Sequence, residues 1–375
     1  MDTPMKLSIE RAALLRSLNH VQSVVERRNT IPILSNVLMK AEDGVLSLSS
    51  TDMDLEINES VAADVSDAGT TTAPAHTFHD IVRKLPDGST IEIELNSDNT
   101  QMTVRSGRSK FKLSCLPTGD FPEISAGELP TEFSIPAGDL RALIDRTKFA
   151  MSTEETRYYL NGIYVHEAEN EGVKVLRAVS TDGHRLARFE MPLPDGAASM
   201  PGIILPRKAV GELRKLIEDA ADVIQISLSE NKVRFTFDHV VLTSKLIDGT
   251  FPDYQRVIPE GNDKIVEIDP KVFTRAIDRV STISDGKSRA LKITLQGKQM
   301  ILSASSPEAG SATEELEVNG DCNMEIGFNA KYLLDITSQI EGEGCRLTLA
   351  DSAAPTIIQD NSDPSSLYVL MPLRV

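Results

Sequence analysis

The chain of 375 residues lacks most of the features that mark common functional classes. It has no run of about 18 apolar residues, so no helical membrane span is expected. The opening stretch MDTPMKLSIE has no apolar signal-peptide core. Cysteine is scarce: Cys115, Cys322 and Cys345 stand far apart without a CxxC pair. That fits a reducing compartment, and a cytoplasmic location is expected; it argues against a disulfide scaffold or a zinc site. The histidines (His20, His76, His79, His166, His184, His239) form no HExxH or HxH cluster, so no metal and no cofactor is expected. Positive charge is also in deficit, with a formal net charge of −17. Taken alone, that balance argues against nucleic-acid binding.

What the sequence does have is repetition. GVLSLSSTDMDLEI from Gly44, GVKVLRAVSTDGHRLARFE from Gly172 and QMILSASSPEAGSATEELEV from Gln299 share one pattern. Each has an alternating apolar run, a Ser-rich turn and a second strand-like run. Asp52 and Asp182 lie 130 residues apart in the same STD context, and Phe121-Pro122 and Phe251-Pro252 keep that offset. IPILSNVLM and RYYLNGIYV read as extended runs around Asn36 and Asn161. Before the strands come helical patterns: Leu14, Leu18, Val21 and Val25 within 9–25, a second around 140–151, and Phe273, Ile277, Val280 and Ile283 within 269–283. Asp269 and Pro270 are placed to start that third helix. A second helix is expected in each unit, over 77–85 (Thr77 and Asp80 at capping-box spacing), 206–219 and 329–340.

Three similar α+β domains of about 120–130 residues follow, each with two helices and about eight strands. Gly, Pro and charge-rich segments at 124–133 and 258–264 place the boundaries at 1–128, 129–259 and 260–375. The helices carry basic residues: Arg16, His20 and Arg27 on the first, Arg83 and Lys84 on the second, Arg207, Lys208, Arg214 and Lys215 in the middle unit, and Lys271, Arg275 and Arg279 in the third. Acids gather in strands and turns. A solvated helix face explains any one of these; recurrence in three units points to sequence-independent phosphate contacts. No zinc-finger, RNP or Gly-rich phosphate motif is present.

The stretch VSTDGHRLARFE places Asp182, His184 and Arg185 within four residues. Adjacent strand residues do not generally converge, no GxSxG elbow exists, and the first copy of the turn has no histidine. The turn therefore reads as Asx/ST chemistry that satisfies backbone groups, not as a catalytic centre. Two rivals to a DNA-tracking protein stay open: a scaffold that binds only proteins, and a hydrolase using Asp182 and His184.

NTIPILSNV, VRSGRSKFKLSCLP, RYYLNG, STDGHRLA, LPRKAV, TSKLIDGTFPDYQRVIP, MEIGFNAKYLLD and YVLMPLRV, in that order, resemble the bacterial sliding clamp family, the beta subunit of DNA polymerase III. The resemblance implies the three-domain DNA clamp fold and a head-to-tail dimeric ring around double-stranded DNA. It implies a processivity factor without catalysis, opened by an ATP-driven clamp loader complex. Its partners would be the polymerase III catalytic subunit and other polymerases or repair proteins, held through short peptides. On that basis the peptide groove would comprise Leu160, Thr181, Gly183, His184, Arg185, Leu186, Pro252, Arg256, Val257, Asn329, Tyr332, Met371, Pro372, Leu373 and Arg374. The 179–190 and 367–375 stretches are expected as its opposite walls. DNA contacts would come from Arg28, Arg83, Tyr158, Tyr159, Arg207 and Lys208. The ring interface would set Lys110, Phe111 and Leu113 against Ile283, Glu314 and Glu315 of the neighbour. Ser288 stands where the resemblance implies a bulky apolar residue, and STEET before Arg157 is more acidic than a DNA face suggests.

Overall fold

The structure is a computed structural model describing residues 4–124, 127–218, 220, 223–284 and 289–375; Ser288 and the expected helix end at Asp219 lie outside them. Among the described residues the helices are α1 (Arg11–Gln22), α2 (Ala75–Lys84), α3 (Ala137–Asp145), α4 (Arg207–Leu216), α5 (Pro270–Ser281) and α6 (Ala330–Thr337). Each forms where the apolar period is near 3.6: in α5, Phe273, Ile277 and Val280 are buried on one face. Asp269 caps α5 as expected, accepting from the backbone N–H of Lys271 at 2.8 Å and Val272 at 3.1 Å, with Pro270 in the first turn.

Two local expectations fail for physical reasons. Thr77 does not cap α2. The strand Gly69–Pro74 runs straight into the helix at Ala75, so Thr77 already lies inside the first turn. The runs before Asn36 and Asn161 are not extended throughout. Pro32–Ser35 and Glu155–Leu160 are 3-10 turns, which brings Ile33 and Leu34 onto Phe121 in one copy and Leu160 into the cluster with Phe251 in the other.

The chain packs as two compact units, Met1–Gly138 with Gly211–Leu246, and Asp139–Val210 with Ile247–Val375. The first holds a five-stranded sheet in the order Asp64–Asp67, Lys6–Glu10, Thr90–Leu95, Gln101–Ser106, Ser109–Ser114. It also holds an eight-stranded sheet. There the last strand of the second repeat, Val240–Lys245, pairs antiparallel with Leu55–Ala62, the strand after the first STD turn, with Leu242 opposite Ile57. The second unit holds a ten-stranded sheet that repeats this joint. Asp363–Leu370, the last strand of the third repeat, pairs antiparallel with Arg185–Pro192, the strand after the second STD turn, with Ala187 opposite Tyr368. Strand alternation puts Leu291, Ile293 and Leu295 under α5 and α6, where Phe273, Ile277, Leu333 and Ile336 complete the core.

Candidate binding groove

The STD turn has the local chemistry its residues dictate. Thr181 Oγ1 accepts from Gly183 N at 3.1 Å; Asp182 Oδ1 accepts from His184 N at 2.9 Å and Arg185 N at 3.1 Å. The first copy matches bond for bond: Met53 N to Thr51 Oγ1 at 3.0 Å, and Asp54 N and Leu55 N to Asp52 Oδ1 at 3.0 and 2.8 Å. Asp182 is thus occupied in closing a turn. Ser180 donates to the Thr147 carbonyl and is fully buried, and His184 stacks beside Tyr332 with centroids 6.4 Å apart. No nucleophile–base pair forms here, and the hydrolase reading loses its geometry.

Beside this turn lies a cavity of about 340 Å³. Its lining includes Leu160, Thr181, Gly183, Arg185, Leu186, Pro252, Val257 and Met371, all expected from the sequence. It also includes Val369, from the stretch expected as a wall, Tyr159, which the resemblance assigned to DNA, and Arg157, Asp253 and Tyr254, which sequence reading missed. The floor is an apolar cluster of Leu160, Val179, Leu186, Ile204, Phe251, Tyr254, Leu367 and Val369. An apolar depression with a few polar groups on its rim suits a short extended segment with bulky side chains.

The arrangement corrects one expectation. The 179–190 and 367–375 stretches are not opposite walls. Leu186 pairs directly with Val369, and Met371 N donates to the His184 carbonyl at 2.9 Å, so the two are neighbours in one sheet. The facing side comes from the 157–160 turn and 252–257. Of the other expected groove residues, Arg256 is exposed and paired with Asp253 at 2.8 Å, and Asn329 caps α6. Pro372, Leu373 and Arg374 line a separate trough with Met324, Glu325 and Asp351.

Arg185 borders the cavity but is committed elsewhere. Its guanidinium bonds Asp182 at 3.1 Å, Asp335 at 2.6 Å and the Phe149 carbonyl at 2.7 Å, and lies 4.2 Å from the centre of the Tyr332 ring. It is a buried strut that ties the turn to α6, with a cation–π contact on the ring expected to carry the Asn329–Tyr332 wall. Burial raises the Tyr332 hydroxyl above its ordinary pKa.

A second buried network props the floor. Tyr254 Oη accepts from Arg177 Nη1 at 3.0 Å and donates to His166 Nε2 at 2.9 Å, while His166 Nδ1 donates to the Glu167 carbonyl. Arg177 pairs with buried Glu190 at 2.6 Å. Burial holds His166 below its ordinary pKa. Buried charges are paired here, as the cost of leaving one alone requires.

The expected DNA and interface residues scatter between the units. Arg28 and Arg83 are exposed in the first, Arg83 against Asp80 at 3.4 Å. In the second, Arg207 is exposed, Lys208 is half-buried, and Tyr158 meets Tyr159 edge-on at 5.7 Å. The polar side of α1 is partly neutralised: His20 bonds buried Glu59 at 2.6 Å, Ser17 bonds the same carboxylate at 2.9 Å, and Ser23 bonds Glu212. Lys110 is exposed on Ser109–Ser114, the outermost strand of its sheet; Phe111 is half-buried and Leu113 turns into the core. Ile283 is half-buried, Glu314 pairs with Arg279 through Nε at 3.1 Å, and Glu315 is exposed.

Three repeats of two helices and antiparallel sheets, joined strand to strand, make the DNA clamp fold. Family models for the N-terminal, central and C-terminal domains of the DNA polymerase III beta subunit match residues 5–125, 134–253 and 255–374. The chain belongs to that family, the bacterial sliding clamps: processivity factors that bind DNA, tether the polymerase and have no catalysis of their own. The beta sliding clamp of Caulobacter vibrioides (strain NA1000 / CB15N) is 52% identical over 372 residues, 99% of this chain and 100% of the relative. That of Escherichia coli (strain K12) is 39% identical over 373 residues, with the same coverage. The crystal structure of the Bartonella birtlesii clamp bound to griselimycin superposes with a TM-score of 0.96 at 49% identity, covering 99% of this chain and 100% of that one. Among the described residues no helix is long and apolar enough to cross a membrane.

Proposed function

We propose that two copies of this chain close head to tail into a ring around duplex DNA, and that the groove beside the STD turn receives short peptides of polymerases, repair proteins and the clamp loader. One observation carries the ring. Within each unit, the last strand of one repeat pairs with the post-turn strand of the repeat before it, Val240–Lys245 with Leu55–Ala62 and Asp363–Leu370 with Arg185–Pro192. That rule leaves two strands over. Ser109–Ser114, the last strand of the first repeat, ends its sheet. In the third repeat, 310–317 pairs on one side only, against 299–306. Applied once more between two copies, the rule joins them and leaves neither edge open. Basic Lys110 then meets the acidic strand of Glu314 and Glu315. The three domains take 1–128, 129–259 and 260–375, and the cytoplasm is the compartment that suits a replication protein with free thiols.

Inside the ring, Arg28, Arg83, Arg207 and Lys208, with Tyr158 and Tyr159, face the phosphate backbone. Contacts to phosphates alone carry no sequence information, which is what sliding needs. The test is retention on DNA. Loaded protein should stay on a nicked circle through a gel-filtration column and run off when the circle is cut. Neutralising Arg28, Arg207 and Lys208 should lower the salt dependence of association by roughly one unit per lost phosphate contact. Equal retention on circular and linear DNA would overturn the ring.

A further inference from the structure

The segment after Met371 does not extend the sheet. Met371 N donates to the His184 carbonyl at 2.9 Å, and two residues on, Leu373 N donates to the Gly327 carbonyl at 2.7 Å. Leu373 and Gly327 form an isolated antiparallel bridge. Between the anchors sits Pro372, with a fixed φ and no N–H to offer. Met371, which lines the cavity and is 40% exposed, is therefore held through its backbone on both sides.

Gly327 is buried in the strand Gly310–Asn329, opposite Lys292, and its φ is outside the left-handed region. Nothing in its own conformation calls for glycine. The need comes from above: a Cβ there would stand 2.8 Å from the Leu373 carbonyl oxygen and would overlap the Val375 methyls. A backbone oxygen cannot swing aside as a side-chain tip can, so any side chain at 327 lifts the strap.

We propose that Gly327 is a positioning residue for the groove: its bare Cα seats the C-terminal strap, and the seated strap holds Met371 at the cavity mouth. The inference rests on the reading of that cavity as a peptide site. Gly327 touches no ligand itself and acts only through 372–375. A lifted tail must be ordered again when a peptide binds, and that ordering opposes binding.

The experiment is an anisotropy titration of a fluorescent peptide from the polymerase catalytic subunit's C-terminal tail, on intact dimers. Gly327→Ala should weaken binding about fivefold, or about 1 kcal/mol, the net worth of one backbone hydrogen bond. Solution mass and melting temperature should hold. Leu373→Pro, which removes the bonding N–H and leaves Gly327 alone, should match it, and decides the matter if Gly327→Ala folds poorly. In a chain ending at Pro372, Gly327→Ala should have no further effect. Unchanged affinity in Leu373→Pro, or an equal added loss in the shortened chain, overturns the proposal. Absence of binding to the unaltered protein instead removes the groove reading beneath it.

Discussion

Gly183 and Met53 occupy the same position in two copies of one turn, at φ 88° and 79°. The hydrogen bonds around them match, so the pair separates backbone strain from the work of the groove. A side chain in the left-handed region costs about 1–2 kcal/mol. Replacing glycine also returns about 0.4–1 kcal/mol by restricting the unfolded chain. The difference predicts that Met53→Gly stabilises by about 0.5 kcal/mol, and that Gly183→Ala destabilises by a similar amount. What differs is the space above. A Cβ at 183 would lie 2.6 Å from Arg157 Nη1, and Arg157 lines the cavity while paired with Glu154 at 2.8 Å. Gly183→Ala must therefore displace the Arg157 guanidinium from its place at the groove.

Loss of one well-placed contact costs about 2 kcal/mol, so peptide affinity should fall about 30-fold in Gly183→Ala, against near-constant stability. Met53→Gly should leave affinity untouched. Denaturant unfolding supplies the stability and fluorescence anisotropy the affinity. If Gly183→Ala binds peptide as well as the unaltered chain, the cavity is not the site. If the loss of affinity is no larger than the loss of stability, the glycine serves the turn alone and Arg157 has no part.

Two further outcomes follow from the charges. Lys110→Glu should lower dimer mass toward monomer in sedimentation, since like charges facing each other across an interface cost several kcal/mol, and adding Glu315→Lys should restore it; a dimer unaffected by either change would move the interface elsewhere. Burial holds His166 below its ordinary 6.5. Above that pH both states are neutral there; as pH falls below 6.5 the unfolded chain takes up the proton first, so stability is lost until the folded imidazole titrates as well. His166→Asn should flatten the decline of unfolding free energy as pH falls below about 6.5, and an unchanged slope would show that the Tyr254 network does not resist protonation.

The legible parts of the fold were those set by near neighbours in sequence. The STD turn is closed by Thr181 and Asp182 onto amides two and three residues on, so its chemistry is written in four letters. The α5 start needs only Asp269 and Pro270. Burial of one helical face needs only a period. Thr77 misled because cap spacing is also local but silent about where the preceding strand ends.

Arg185 marks where that reach stops. In the sequence it stands in an Asp-Gly-His-Arg cluster and suggests a ligand contact. In the fold its guanidinium is taken by Asp335, 150 positions away, by the Phe149 carbonyl, and by the face of Tyr332. Those partners come from α6 and from the turn after α3, and nothing in the periodicity of either announces a charge partner. Arg157 and Tyr254 were missed for the mirror-image reason. One is brought to the cavity by a 3-10 turn that read as a strand, the other by hydrogen bonds to Arg177 and His166 on strands far back in the chain. Repetition shows where a site recurs, and long-range polar pairing decides which copy becomes one. The first copy keeps the turn but carries Met53 at the position of Gly183, and over Gly183 the Arg157 guanidinium takes the place a Cβ would need.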